Sequence, residues 1–242
     1  MNKQELLAEL KSEGFSQQIL GVFSKIPREK FIPKSLHDYA YNNEPLPIGR
    51  GATISQPYTI AFMLELLELN KLNNVKQDKL SENKNNQNCE RSSVQLSEEQ
   101  SPKNKKSNVN NINKIKVLEI GSGCGYVLAL INEILRNKCP EIYGIEIIPE
   151  LVEKSRKVLK KYKNIKIIHG DGSKGLSQKA PFDRILISAA CDEIPKHLCS
   201  QLKPDGIFVT PVQNSIFQIK NNKIQEFPGF VFVRLVNYNN QS

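Results

Sequence analysis

The chain of 242 residues has five cysteines, Cys89, Cys124, Cys139, Cys191 and Cys199, but no C-x-x-C pair. An odd, scattered set gives neither a disulfide framework nor a zinc pattern, and reduced thiols are expected. His37, His169 and His197 stand far apart with no H-E-x-x-H, so no metal is expected. No apolar run approaches the roughly 20 residues of a membrane span. The opening stretch MNKQELLAELKSEG has no continuous apolar core and no small-residue cleavage site, so it reads as an amphipathic helix rather than a signal peptide. A cytoplasmic protein without membrane contact is the expectation.

The net charge of +9 and pI of about 9.2 would permit nucleic-acid binding. Nine basic and five acidic residues between Lys71 and Lys114 account for +4 of it. The remaining +5 is ordinary for the length, and nucleic acid is not an expected partner. Residues 71–113 are dominated by Asn, Lys, Ser, Gln and Glu and contain no aromatic residue. Their aliphatics, Leu72, Val75, Leu80, Val94, Leu96, Val109 and Ile112, are too dispersed to offset the entropy of ordering, so the segment reads as a disordered, low-complexity insertion. Loop closure grows only logarithmically with length, so a surface turn tolerates it.

What is present is organised around KIKVLEIGSGCGY, Lys114 to Tyr126. Ile115, Val117, Leu118 and Ile120 form a short β-branched run, and Val127, Leu128, Leu130, Ile131, Ile134 and Leu135 recur at helical spacing. A strand, a glycine turn and a helix in this order build a ligand crevice at the strand's carboxyl end. A dinucleotide fingerprint needs glycines at its first, third and sixth positions, and the sixth counted from Gly121 is Tyr126. That disfavours NAD. Cys124 inside the turn reads as a small residue at a tolerant position rather than a reactive thiol.

Three acids favour S-adenosyl-L-methionine instead. Glu119 precedes the turn, Glu146 closes the second apolar run within EIYGIEII, and Asp171 follows the third within IKIIHGDG. A carboxylate ending a second strand can accept from both ribose hydroxyls, and one after a third can meet an adenine amino group. Each acid alone would pass as a cap or a solvated loop residue. Their recurrence after three successive strands is what carries the reading.

The rest of the chain supplies a frame. Leu6, Leu7 and Leu10 share one face of a helix near residues 3–13 ended by Gly14, and Ser16 caps a second helix stopped by Pro27. Residues 52–55 read as extended, and Pro57 opens a helix with Ile60, Ala61, Met63, Leu64 and Leu67 buried. Thr53 and Ser55 thus fall at a helix entry, either as caps or as hydroxyls beside free N–H groups that can receive a carboxylate. Strands are expected at Glu141–Glu146, Ile165–His169, Arg184–Ser188 and Ile207–Val212, with helices from Pro149 and around Ile194–Leu202. SIFQIKNNKIQEF reads as a hairpin turning at Asn221 and Asn222, and FVFVRLV as a last strand. The fold class is α/β: a doubly wound, Rossmann-like sheet, mostly parallel with antiparallel C-terminal strands, plus N-terminal helices. One domain is expected: residues 1–57 give the helices and a substrate-side loop, 71–113 the insertion, and 114–242 the cofactor core and last strands.

IPREKFIP, EPLPIGRGATISQPYTIA, VLEIGSGCGY, YGIEIIPEL, HGDGSKG, PFDRILISAA and LKPDGIFVTPV occur in this order. Together they resemble the protein-L-isoaspartate O-methyltransferases, a branch of the class I S-adenosylmethionine-dependent methyltransferases. The likeness spans almost the whole chain outside 71–113. GRGATISQP with PREKFIP before it is the specific part. The resemblance implies a cofactor on Glu119, Gly121, Ser122, Gly123, Glu146, Asp171 and Gly172. It also implies an isoaspartyl protein or peptide against Ala52, Thr53, Ile54 and Ser55, with Ser55 as the active-site serine.

The chemistry is consistent with that. The α-carboxylate freed by an isoaspartyl linkage has a pKa of about 3.5, so at neutral pH it is already a nucleophile and needs no general base. No histidine lies near Ser55 in sequence, and none is needed. The resemblance implies that the methyl ester then cyclises to a succinimide unaided, which repairs the damaged linkage. The chain departs from the family pattern at Cys191-Asp192, at Gln213-Asn214, where a glycine is usual, and at Arg234, where proline is common. The alternatives are a class I methyltransferase acting on RNA or a small molecule, and a silent binding module that uses the insertion. A monomer is expected.

Overall fold

Among the described residues a seven-stranded sheet carries the fold. The computed structural model describes residues 1–72 and 114–232, which belong to one compact unit. The N-terminal part comprises α1 (Lys3–Ser12), α2 (Gln17–Lys25), the strands β1 (Leu46–Gly49) and β2 (Ala52–Ile54), and α3 (Pro57–Leu66). There follow β3 (Lys116–Ile120), α4 (Tyr126–Ile134), β4 (Glu141–Glu146), α5 (Pro149–Val158), β5 (Ile165–His169) and β6 (Phe182–Ile187). The chain then forms β7 (Leu202–Val212), β8 (Ser215–Lys220) and β9 (Lys223–Pro228).

The strand order is β5-β4-β3-β6-β7-β8-β9, parallel from β5 to β7 and antiparallel from β7 to β9. The order reverses at the β3/β6 boundary, which puts the crevice outside the carboxyl ends of those two strands. β3 can occupy the centre because it is apolar on both faces: Val117, Leu118 and Ile120 are fully buried.

Local chemistry sets the element ends. Asn2 and Glu5 form a capping box on α1, and Gly14 at φ +87° closes it, with Phe15 N–H donating to the Leu10 carbonyl and Gly14 N–H to that of Lys11. The Ser16 side chain caps α2 as expected. Asn221 and Asn222, at φ +50° and +59°, make the two-residue hairpin turn. Arg28, fully buried, lies 5.6 Å from the Tyr126 ring, and Phe31 meets the same ring edge-on at 5.2 Å. PREKFIP thereby anchors the N-terminal segment onto the start of α4.

Several expectations are corrected. Between β5 and β6, where no helix is expected, the chain makes two 3₁₀ turns, Gly172–Lys174 and Ser177–Lys179, because a Gly- and Ser-rich stretch has no apolar stripe to bury. The helix around 194–202 is a 3₁₀ helix, Lys196–Gln201. The strand expected at Ile207–Val212 begins earlier, at Leu202: Phe182 opposes Leu202 and Arg184 opposes Ile207, so Lys203 to Gly206 bulge within one strand. Phe230–Phe232 are not strand, and the rest of FVFVRLV lies outside the described residues. The insertion also lies outside them, apart from its first two residues. Lys71 ends a 3₁₀ helix, and Leu72 is buried in the core rather than part of a polar linker. The described chain stops at Leu72 and resumes at Lys114, at the amino end of β3, away from the crevice.

Candidate functional site

The crevice is a cavity of about 1140 Å³. One half is built on the sheet. Ile120, Gly121 and Gly123 leave β3, Ile145 through Pro149 leave β4, Gly170 and Gly172 leave β5, and Ser188 and Ala189 leave β6. The other half is built on the N-terminal part by Asn43, Ala52, Thr53, Ser55, Tyr58 and Thr59. The β1–β2 hairpin lies across the two, its tip residue Arg50 paired with Glu150 at the start of α5.

Glu146 organises the first half. Its Oε2 accepts from the Gly123 N–H at 2.7 Å and its Oε1 from the Ile148 N–H at 2.9 Å. Each oxygen keeps a second lone pair, and the residue lines the cavity. The carboxylate therefore fixes the glycine turn and still has acceptor capacity for a diol. Gly123 stands at φ +52°, and a Cβ there would meet Ile48 Cδ1 at 3.2 Å, so backbone alone fits under the hairpin.

Glu119 is more deeply placed. It is 1% exposed, its Oε1 accepts from the Ser188 hydroxyl at 2.6 Å, and its Oε2 has no partner among the described residues. Burial pushes its carboxyl up to about 8; the Ser188 hydrogen bond opposes the shift, and the charge of Glu146 adds to it. The ordinary value is 4.5, so between there and about 8 the folded protein holds a proton that the unfolded chain has lost. Stability attributable to this group falls as pH rises through that window and levels off above it. Glu119→Gln should accordingly be more stable than the parent at pH 9 and nearly equal at pH 4.5. The difference is a few kcal/mol, at about 1.4 kcal/mol per pH unit. Urea midpoints at the two pH values check this, and a variant no more stable at pH 9 would contradict it.

Not every expected residue reaches the cavity. Gly121, Gly123, Glu146 and Gly172 line it, as do Ala52, Thr53 and Ser55. Ile54 is buried in the core. Ser122 is buried, its hydroxyl without a partner among the described residues, and Glu119 sits behind Ser188; neither lines the cavity. Asp171 accepts from the Ser173 N–H at 2.8 Å and caps the following turn. Cys124 is buried, and burial raises its thiol to about 11, so it is not a reactive nucleophile.

Ser55 does not cap α3: the N-cap is Gln56, without a side-chain cap bond. The Tyr58 N–H is taken by Asn43 Oδ1 at 2.9 Å. Pro57 has no N–H, so in the first turn the Thr59 N–H is the donor left without a partner among the described residues. Sequence reasoning missed Asn43, Thr59, Ser188 and Ala189. Ser188 and Ala189 had a signal, since the apolar run of β6 ends in them as that of β3 ends in the glycine turn.

A strand order reversing at β3/β6, a glycine turn clamped by the carboxylate that ends β4, and a cavity outside the strand ends define a class I methyltransferase fold. A solved structure described as a protein-L-isoaspartate O-methyltransferase superposes with TM-score 0.73 at 23% identity, covering 98% of this chain and 66% of that one. Another from Plasmodium falciparum, described in the same terms and in complex with S-adenosyl-L-homocysteine, superposes with TM-score 0.68 at 22% identity, covering 98% and 99%. Relatives in sequence are nearer. The protein-L-isoaspartate O-methyltransferase of Methanothrix thermoacetophila is 33% identical over 98% of this chain and 95% of its own. The protein-L-isoaspartate O-methyltransferase 2 of Archaeoglobus fulgidus is 38% identical over 88% and 80%. The profile of the protein-L-isoaspartate(D-aspartate) O-methyltransferase family matches residues 1–77 and 108–235, and the chain belongs to that family.

Proposed function

We propose that the chain transfers the methyl group of S-adenosyl-L-methionine to the α-carboxylate of L-isoaspartyl residues in damaged proteins and peptides, as a cytoplasmic monomer. The observation that carries this is a single cavity shared by the Glu146-clamped glycine turn and by Ser55 with Thr53. The residues fit the cofactor: Glu146 has free acceptor capacity at the end of β4, Glu119 has an orphaned oxygen behind Ser188, and Gly123 and Gly172 present bare backbone. Glu146 would hold the ribose hydroxyls, Gly172 would flank the adenine with Asp171 shaping the turn beside it, and Gly121 and Gly123 would face the methionine end with Glu119 and Ser122 buried behind them. When bound, the cofactor supplies a methyl group made electrophilic by a sulfonium.

The remaining work falls to the chain itself. The incoming carboxylate is ionised at neutral pH, so no base is recruited. Ser55 donates its hydroxyl and Thr59 its unpaired N–H to one carboxylate oxygen, at the positive end of α3, and the other oxygen is left to attack. The hairpin and the apolar residues around Tyr58 keep water away. Orientation of this kind contributes up to about 7–11 kcal/mol. Ser55 acts as a clamp and forms no covalent intermediate.

Mass spectrometry of an isoaspartyl hexapeptide incubated with the protein and S-adenosylmethionine tests this. The expected product is one methyl group heavier and reverts in mild alkali with appearance of normal aspartyl peptide. An unmodified peptide, with the cofactor demonstrably bound, would contradict the proposal.

A further inference from the structure

The substrate half of the cavity has a wall that methyl transfer to a carboxylate does not require. Tyr58 and the segment after β9, including Phe230, Val231 and Phe232, line it. Phe230 stacks on Tyr58 with ring centroids 6.4 Å apart and 25° between planes; it lies 5.1 Å from Phe62 and 6.3 Å from Phe232. Val231, between the two phenylalanines, is 87% exposed, more than any other large apolar side chain among the described residues. An exposed apolar side chain beside a reaction cavity is a feature that a ligand can cover.

The segment is held in place. The Gly229 and Phe230 N–H groups both donate to the Asn214 carbonyl, at 3.0 and 2.9 Å. Asn214 follows Gln213, whose φ of +52° is left-handed and suits the glycine usual there. The Gln213 N–H donates to the Cys191 carbonyl at 3.1 Å, and the Cys191 N–H to that of Pro211 at 3.0 Å. Two of the places where this chain departs from the family pattern are therefore joined to each other. Together they tie the loop after β6 to the aromatic wall.

We propose that this wall is a side-chain subsite that selects isoaspartyl peptides carrying an aromatic or large aliphatic residue next to the isoaspartate. The inference rests on the isoaspartyl reaction proposed above. The flanking side chain packs against Phe230 and Val231, burying apolar surface on both partners while Ser55 holds the carboxylate. Aromatic contact plus area burial at such a site is worth about tenfold in kcat/KM.

Initial rates with three isoaspartyl hexapeptides test the subsite: phenylalanine before the isoaspartate, phenylalanine after it, and glycine on both sides. The parent protein should favour at least one phenylalanine peptide over the glycine peptide by about tenfold in kcat/KM, the difference residing in KM. Phe230→Ala should reduce that ratio to below about threefold, and Phe230→Leu should restore part of it. Ile224→Ser, on β9 outside the cavity lining, should leave it unchanged. Methylation of all three peptides with equal kcat/KM, or a ratio that survives Phe230→Ala, would overturn the subsite and leave the reaction standing. Methylation of none would overturn both.

Discussion

Glu146→Ala is expected to weaken S-adenosylhomocysteine binding by at least about a hundredfold, with Glu146→Gln in between. Two backbone donors, the Gly123 and Ile148 N–H groups, lose a charged acceptor in the alanine variant. Hydrogen bonds to a charged group contribute about 1.5–3 kcal/mol each. The glycine turn would lose the clamp that fixes it under the hairpin, in addition to the acceptor for the ribose. Gln keeps one acceptor but turns an amide toward the other donor, so about tenfold is expected of it. Titration calorimetry of the parent and both variants reads this directly. Full affinity in the alanine variant would remove Glu146 from the site.

Ser55→Ala should lower kcat about a hundredfold while cofactor affinity stays as in the parent, the loss associated with misaligning a reactant whose non-attacking oxygen has lost its donor. The prediction follows from the place of Ser55. It lines the cavity, it is not spent as the α3 cap, and it lies in the same helix entry as the unpaired Thr59 N–H. A fall in kcat shows that the hydroxyl aligns the carboxylate for attack, whereas a rise in KM alone would make it a binding contact. Single-turnover rates at saturating peptide separate the two.

The features legible in sequence share a cause, since each depends on residues close together in the chain. The β-branched run before Gly121 had to be a buried strand, Ser16 and Pro57 mark helix starts through their own chemistry, and Asn221-Asn222 favours the left-handed turn it adopts. The acids ending β3 and β4 could be singled out because strands of known period place their ends together. What was not legible depends on long-range contacts. Asn43 takes the Tyr58 N–H across fifteen residues, and Glu119 is buried because β6 and Ser188 close over it. The run from Phe230 reads as a strand, yet Phe230–Phe232 are not one, because their place on the cavity wall is set by the Asn214 carbonyl and by the rings of Tyr58 and Phe62. Leu72 looked like linker because its packing partners come from other segments.

The most direct test of the central claim is the transfer of radiolabelled methyl from S-adenosylmethionine to paired hexapeptides that differ in having isoaspartate or normal aspartate at one position. The account predicts base-labile label on the isoaspartyl peptide alone, because only there does a free α-carboxylate reach Ser55 while the chain continues through the side-chain carbonyl. Equal labelling of both peptides, or of neither while the cofactor binds, would contradict it.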